Sequence, residues 1–301
     1  MKKHLFLIYS FLTIAQLNAQ LPNSDVWLFS YSNKLEKYTF SNGTNISSHQ
    51  GYDNQPSFSK DGNLLLYTSE RDSSQTDIFC YSINKGTKTS KFQTKVSEYS
   101  PEFFTSLNNY FSAVVVEEDS SQRLWIYDLS CNDANCKKSE LAFPAVKNVA
   151  YSRWLNDSIV FLSLLPEPMT LYIANRKTKV IEKCASNINR SMAIYQQKNN
   201  TAFLYTQLQS DSTFAIQALN TSGKQVLNFK PIKMIEGSLD FSIDKLGHIF
   251  MASGTKLFIW TIGKSKEWTE VGNFASEGLH KITRISISPD GKHIAIVDNP
   301  K

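Results

Sequence analysis

The sequence predicts an all-β protein, a six-bladed β-propeller whose last blade is closed by N-terminal and C-terminal strands. Three observations support this fold class. Strand-like segments recur at intervals of about 45 residues, each interval contains a turn rich in Gly or Asn, and an element missing after the last copy occurs before the first. Such a period, with four short strands in each copy, is typical of propeller blades. A β-sandwich also has strands every 8–12 residues or so, but it does not predict the displaced element.

An aromatic or branched residue marks the first strand of each copy. In the clearest copy, Phe58 is followed by Ser-Lys-Asp-Gly and then by an apolar run. The turn residues tolerate the positive φ of tight hairpins, and the run after each turn has the composition of a second strand. The six anchor positions, separated by 45, 51, 40, 47 and 46 residues, are Phe58, Phe103, Trp154, Ile194, Phe241 and Ile287.

A third strand-like element follows each of the first five anchors by 16 to 21 residues. After Ile287 it would fall beyond Lys301, whereas a matching element occurs at residues 25–29. We therefore expect residues 25–29 to pair with the sheet that contains residues 294–297. Such pairing would close the ring and leave no open blade edge.

The first 19 residues have the pattern of a secretory signal peptide. Lys2 and Lys3 precede an eleven-residue apolar stretch, and Ala19 provides a small residue before the expected cleavage site. We predict a signal peptide over residues 1–19 and a propeller over residues 20–301. A short apolar N-terminal strand is the alternative. The prediction places the protein in the periplasm or outside a Gram-negative cell, and no stretch approaches the roughly 20 apolar residues of a membrane-spanning helix.

Charge and cysteine content narrow the partner classes. The formal net charge of +5 falls to +3 when two lysines leave with the signal peptide, and no basic run occurs, so nucleic acid and anionic membranes are not expected partners.

Cys131 and Cys136 flank four residues between strand-like runs, and we predict a disulfide at this hairpin tip. Cys80 lies in an apolar run and is predicted to be a buried thiol.

The segment from Gln55 to Gly62, followed by Ser-Glu-Arg ending at Arg71 and by Asp-Ile-Phe beginning at Asp77, closely resembles the repeat of TolB-like propellers, also called WD40-like or PD40 repeats. The resemblance implies a six-bladed propeller of the bacterial envelope that binds proteins or peptides at the ring face and is not an enzyme. We expect neither the N-terminal α/β domain of TolB nor the hydrolase domain of the peptidase relatives. Within the repeat, Arg71 and Asp77 are expected to form an ion pair that holds the loop between the second and third strands.

Catalytic motifs are absent from the sequence. It contains no G-x-S-x-G nucleophile elbow, no H-E-x-x-H zinc motif and no EF-hand-like acidic loop. We therefore expect no catalytic residue, no metal and no cofactor.

Binding is expected at the loops that lead from the last strand of one blade to the first strand of the next, because these loops surround the channel mouth. The mixed charges and aromatic rings suit a protein or peptide partner, and we expect a monomeric, non-enzymatic binding protein. Two alternatives remain open, a carbohydrate lyase or hydrolase on the same scaffold and a small-ligand sensor module. The predicted partner-binding residues are Tyr52, Asp53, Asn54, Glu98, Tyr99, Asn148, Arg190, Glu236 and His280.

Overall fold

The computed structural model describes residues 21–34, 37–71, 75–91, 94–104, 109–130, 140–197 and 200–300. Within these ranges the secondary structure is 23 β-strands and one short 3-10 helix, Ala275–Glu277. No helix in these ranges is long and apolar enough to cross a membrane. In chain order the strands are β1 (Asp25–Lys34), β2 (Lys37–Asn45), β3 (Asp53–Phe58), β4 (Leu64–Arg71), β5 (Gln75–Ser82), β6 (Thr87–Lys91), β7 (Ser97–Phe103), β8 (Tyr110–Val116), β9 (Gln122–Asp128), β10 (Glu140–Leu141), β11 (Val149–Trp154), β12 (Ile159–Leu164), β13 (Met169–Asn175), β14 (Ile181–Gln197), β15 (Asn200–Leu208), β16 (Phe214–Asn220), β17 (Ile232–Lys233), β18 (Phe241–Ile243), β19 (His248–Ser253), β20 (Lys256–Thr261), β21 (Thr269–Asn273), β22 (Ile282–Ile287) and β23 (His293–Asp298).

These strands form five antiparallel sheets of a β-propeller. Three sheets contain four consecutive strands each, β3 to β6, β7 to β10 and β18 to β21. A fourth sheet has the order β2-β1-β23-β22, and the fifth contains seven strands, β11 to β17, in chain order. The predicted all-β propeller is therefore confirmed.

The pairing of β1 with β23 joins the first strand described to the last. Val26 is the partner of Val297, and Phe29 is the partner of Ile294. The four side chains are almost completely buried, and alternate residues along each strand enter two different apolar clusters. The pairing predicted between residues 25–29 and 294–297 is therefore present. It is stabilised by burial, since both faces of this strand pair contribute to the core.

The seven-stranded sheet exists because β14 serves two neighbours in succession. Its N-terminal part pairs with β13, its C-terminal part pairs with β15, and Ile188 has a partner on both sides. The register with β15 shifts between Ile188 and Met192. The sequence predicted separate strands for the third and fourth copies; here one continuous strand replaces the loop between them.

The six predicted anchors all lie on β3, β7, β11, β14, β18 and β22. These six inner strands contact one another in a cycle, from β3 through β7, β11, β14, β18 and β22 back to β3. One predicted anchor, Phe241, is displaced by two residues from the position that corresponds to Phe58.

In three hairpins a glycine N–H donates to the carbonyl three residues earlier, at Ser59, Asp244 and Ser288. The residues that directly precede these three acceptors are Phe58, Ile243 and Ile287, respectively. Ile243, rather than Phe241, therefore corresponds to Phe58.

The apolar core is divided among the spaces between neighbouring sheets. Six clusters are present in the described part of the chain, and each combines side chains from two sheet faces. In the seven-stranded sheet, the faces before and after the register shift in β14 pack on each other, and Phe161 stacks on Phe203 with ring centroids 3.7 Å apart. Burial of apolar surface between sheets is thus the main stabilising interaction of the fold.

Two local predictions are confirmed by side-chain contacts. Arg71 Nε forms an ion pair with Asp77 Oδ2, and the Asp77 side chain is fully buried. Cys80 is a buried thiol in the cluster between the β3–β6 and β7–β10 sheets. The predicted disulfide between Cys131 and Cys136 and the predicted signal peptide over residues 1–19 lie outside the described residues.

Candidate functional site: the central channel

A cavity of about 680 Å³ is enclosed by the six inner strands. Small side chains keep its axis open, because serine recurs on the lining wherever an inner strand faces the cavity. These serines are Ser57, Ser100, Ser152, Ser191, Ser242 and Ser286. The cavity is therefore a channel to which each of the six inner strands contributes a serine.

Irregular backbone occurs near the start of several inner strands. The register with the next strand shifts after Asn54 on β3, after Tyr99 on β7 and after Ile282 on β22. Gln55 and Ser100, which follow these points, have positive φ angles of 59° and 51°. A bulge of this kind bends the strand and redirects a side chain. Gln55 Oε1 accepts hydrogen bonds from Thr68 Oγ1 (2.8 Å) and from the Ser100 N–H (2.7 Å), so one bulge is fixed to the next.

Two arginines lie close together where β14 and β22 enter the channel. Arg190 Nη2 donates to the Thr283 carbonyl at 2.6 Å. The guanidinium carbon of Arg284 lies 5.6 Å from the centroid of the Tyr151 ring, the geometry of a cation–π contact. Both side chains are partly exposed and line the cavity.

Asp240 is the acidic neighbour of this pair. Its Oδ1 accepts a hydrogen bond from Ser191 Oγ, and its Oδ2 accepts one from the Ile285 N–H at 3.3 Å. Burial, together with the charge of Arg284, lowers the pKa of Arg190, and Asp240 acts against this shift. Burial also acts to lower the pKa of Arg284. The negative charge of Asp240, together with Tyr151 and Tyr52, acts in the opposite direction and exceeds the effect of burial, so the pKa of Arg284 is raised. Both guanidinium groups are therefore cationic at physiological pH.

Tyr52 places a neutral hydroxyl beside the arginines. Burial raises the pKa of Tyr52 to about 12, although Arg284 and Arg190 act in the opposite direction. The hydroxyl consequently remains a hydrogen-bond donor throughout the physiological range. Tyr151 and Tyr99 are its other electrostatic neighbours. Aromatic, basic and hydroxyl groups from different sheets thus converge at one mouth of the channel.

A third arginine of the channel lining, Arg153, is already paired. Arg153 Nη1 lies 3.3 Å from Glu102 Oε1, and the same carboxylate accepts hydrogen bonds from the Trp154 N–H (3.1 Å) and Ser152 Oγ (3.3 Å). Burial raises the pKa of Glu102, and Arg153 partly offsets this effect. Arg153 and Glu102 therefore neutralise each other, unlike the two arginines at the mouth.

The lining as a whole is basic. Its acidic side chains are Glu102, Asp240 and Asp244, whereas its basic side chains are Lys60, Arg153, Arg190, Lys245 and Arg284.

Eight of the nine predicted binding residues lie near the start of an inner strand or in the connection before it, whereas Arg190 lies within the continuous strand β14, at its register shift. Three of them are neighbours at the mouth, because Tyr52, Tyr99 and Arg190 interact electrostatically. Asn148, Glu236 and His280 lie in connections that enter the inner strands on the same side, and all three are exposed. The His280 ring is also within 3.3 Å of Asp298 Oδ2.

The other three predicted residues are turned inward. Asp53 and Glu98 are completely buried and Asn54 is nearly so. Asp53 Oδ2 lies 3.1 Å from His49 Nδ1, and Asn54 Oδ1 accepts a hydrogen bond from the Gln55 N–H at 2.8 Å. These side chains hold the mouth connections together rather than face the channel.

Sequence reasoning missed Tyr151, Asp240 and Arg284. All three occupy the same place in the repeat, three residues before the anchors Trp154, Ile243 and Ile287. Tyr151 and Arg284 directly follow register shifts on β11 and β22, and Asp240 lies one residue before β18; all three line the cavity. The third position before each anchor is therefore the signal that could have found them.

Among the residues that the structure describes, no group of three or more His, Cys, Asp or Glu side chains is arranged to hold a metal ion.

The chain is similar in structure to solved β-propellers over more than 90% of its length. A protein of Agrobacterium tumefaciens assigned to TolB superposes with a TM-score of 0.62 at 11% identity, covering 93% of this chain and 99% of that one. TolB from Acinetobacter baumannii gives a TM-score of 0.53 at 11% identity, covering 91% of this chain and 64% of that one. A gluconolactonase from Xanthomonas campestris gives 0.60 at 9% identity, covering 94% and 99%. No protein-family model and no curated protein sequence matches the chain. The chain accordingly has a TolB-like β-propeller fold.

Proposed function

We propose, first, that the propeller has six blades and that the strand pair β1–β23 closes it. The cyclic contacts of the six inner strands and the six apolar clusters, each of which lies between two sheet faces, support this number. In this arrangement the seven-stranded sheet supplies two blades, and β14 is the outer strand of one and the inner strand of the next.

We propose that the protein is a non-enzymatic binding protein that holds a protein or peptide at the channel mouth. The observation that carries the proposal is the convergence of Arg190, Arg284, Tyr52 and Tyr151 beside an open cavity. Peptides offer backbone carbonyls, carboxylates and apolar side chains, and the mouth offers a complement to each of them. Convergent polar groups around a pocket are the usual form of a ligand site.

We further propose that the protein works as a monomer in the periplasm or outside a Gram-negative cell. The lysines and apolar stretch of the predicted signal peptide, residues 1–19, support this location.

A capture experiment tests the binding proposal. Protein lacking residues 1–19 is immobilised and exposed to envelope extract, beside a variant carrying Tyr52→Phe, Tyr99→Phe and Arg190→Gln; phenylalanine at position 99 keeps the packing of that ring on the apolar core. Tyr52→Phe is preferred to alanine because the ring is buried and only its hydroxyl should be removed. We expect the same partner on the wild type in repeated captures, and its loss from the variant at an unchanged melting temperature. Equal capture by both proteins would contradict binding at this mouth.

The enzymatic alternative is tested separately. Purified protein is incubated with D-glucono-1,5-lactone and with anionic polysaccharides, with and without divalent cations. We expect no turnover. Cleavage that depends on a metal ion and is abolished by His280→Ala would contradict the non-enzymatic proposal, since His280 is an exposed imidazole on the mouth side.

A further inference from the structure

Resting on the proposed peptide-binding function, we propose that Arg190 and Arg284 form a receptor for a single carboxylate group of the bound peptide. The carboxylate is supplied either by the peptide's C-terminus or by an Asp or Glu side chain. This goes beyond peptide binding in general, because it assigns the chemical group that is recognised and the two residues that recognise it.

Hydrogen-bonding capacity is the first argument. The Nε atoms of Arg190 and Arg284 are both buried without an acceptor in the described part of the chain. Arg153 Nε shares this state, but Nη1 of that arginine is already ion-paired with Glu102. Buried donors are normally satisfied, and an unsatisfied N–H of a cation is costly. A carboxylate can accept from the Nε and Nη edge of a guanidinium group with two parallel hydrogen bonds.

Preorganisation is the second argument. The Thr283 carbonyl accepts from Arg190 Nη2, and the Tyr151 ring lies against the guanidinium of Arg284. These contacts restrict the two flexible side chains before any ligand arrives. Binding therefore loses less side-chain entropy than it would at two mobile surface arginines.

The charge balance selects the ligand. Two cationic groups face one carboxylate, Asp240, whose oxygens already accept from Ser191 and from the Ile285 N–H. The site thus has one positive charge in excess, and a single carboxylate completes it. Asp240 repels any bound anion, but a phosphate group with up to two negative charges would be repelled more strongly than a carboxylate with one. Tyr52, an electrostatic neighbour of both arginines, stays neutral and adds no negative charge to the site.

The test compares matched probes. A library of N-acetylated tetrapeptides is prepared with a free C-terminal carboxylate and again with a C-terminal amide, and both forms are measured by fluorescence competition. Citrate and inorganic phosphate serve as small anions. The proteins are the wild type, Arg284→Gln, Arg284→Lys and Arg190→Gln. Arg176→Gln is the charge-matched control, because Arg176 is ion-paired with Glu140 outside the channel.

We expect carboxylate peptides to bind at least about tenfold more tightly than amides that lack an acidic side chain. Amides containing Asp or Glu should regain affinity if the side chain is the source of the carboxylate. Arg284→Gln and Arg190→Gln should each weaken binding by about tenfold or more. Arg284→Lys keeps the charge but loses the two-pronged geometry, so its affinity should lie between those of the wild type and Arg284→Gln. Arg176→Gln should bind like the wild type.

Each adverse result has a distinct meaning. Equal binding of carboxylate and neutral amide peptides would overturn the carboxylate receptor and leave peptide binding intact. Arginine-dependent binding of citrate but of no peptide would contradict the proposed function and retain the carboxylate site. Tighter binding of phosphate than of any carboxylate would overturn the charge argument. If Arg284→Gln fails to fold, Arg284→Lys and Arg190→Gln still decide the outcome.

Discussion

Trp27 on β1 is the backbone partner of Ile296 on β23, and Ile296 is in turn the partner of Ile285 on β22. Ile296 is completely buried. Strand β1, near one end of the described chain, therefore belongs to the same sheet as β22 and β23, near the other end. Because Ile296 in the middle of the three strands is buried, this part of the sheet belongs to the apolar core.

Replacing Ile296 by alanine should lower the free energy of unfolding by about 2–5 kcal/mol, because it removes buried methyl groups and leaves a cavity in the β2-β1-β23-β22 sheet. The measurement is urea unfolding followed by tryptophan fluorescence. Ile181→Ala is the matched control: the same change at a residue that is 37% exposed should cost less than about 1 kcal/mol. Equal losses in the two variants would mean that β1 and β23 do not pair in solution.

Gly62 should be less replaceable than another glycine of similar backbone conformation. Its φ is +73°, and an added Cβ would lie 2.8 Å from Cγ of Asp290 in the turn of the neighbouring sheet. Gly263 has a φ of +78° with no atom within 4 Å of such a Cβ. Gly263→Ala should cost about 1–2 kcal/mol from left-handed strain alone. Gly62→Ala should cost at least about 1 kcal/mol more in a chemical unfolding experiment. Identical costs would show that the two turns are not in contact.

Removing Arg71 should make stability depend on pH. Burial raises the pKa of Asp77 above its ordinary value of 3.8, and Arg71 opposes that shift. A carboxyl whose pKa is higher in the folded state binds its proton more tightly there, so it destabilises the fold increasingly as the pH rises above 3.8. Without Arg71 this penalty grows.

Arg71→Ala should therefore lose about 3 kcal/mol near pH 7 and distinctly less near pH 4, as measured by urea unfolding at both values. The control repeats Arg71→Ala in an Asp77→Asn background: without a carboxyl at position 77, the loss caused by Arg71→Ala should be the same at both pH values. A loss of Arg71→Ala stability that is the same at both pH values would show that Asp77 is not its ionic partner.

Replacing Asp240 by asparagine should tighten the binding of carboxylate peptides. The change removes the negative charge beside Arg190 and Arg284, while the amide oxygen can still accept one of the two existing hydrogen bonds. A like charge at this range is worth about 1 kcal/mol, which predicts about fivefold tighter binding in the same fluorescence competition. The gain should shrink at high salt. Unchanged or weaker binding in a variant of normal melting temperature would contradict the charge balance at the mouth.

The repeat predicted most of the fold because hairpin turns and alternating strands are local features. Phe58 and Ile287 could be aligned from sequence since each precedes the same turn, and the Arg71–Asp77 pair lies within one such copy. The displaced element at residues 25–29 predicted a contact between distant parts of the chain only because the period was regular. Where the turn signal is weak, as between the third and fourth copies, the continuous strand β14 was not foreseen.

The channel mouth was less predictable because it depends on which side chains the irregular inner strands turn toward the axis. Asp53 and Glu98 look like exposed polar loop residues in the sequence, yet both are buried. Arg284 lies within strand β22, so a prediction based on the connecting loops does not include it. Its position three residues before Ile287 carries the information, but only the arrangement of all inner strands identifies that position as a channel-facing one.

Photo-crosslinking in living cells tests binding at the channel mouth most directly. A benzoylphenylalanine is placed at Asn148 or Glu236, which are exposed on the mouth side, and at Leu227, which is 96% exposed between β16 and β17. The predicted result is one partner protein crosslinked from positions 148 and 236 but not from 227, and lost when Arg190→Gln and Arg284→Gln are combined with the crosslinker. Crosslinking that is confined to position 227, or that survives both arginine substitutions, would contradict partner binding at this site.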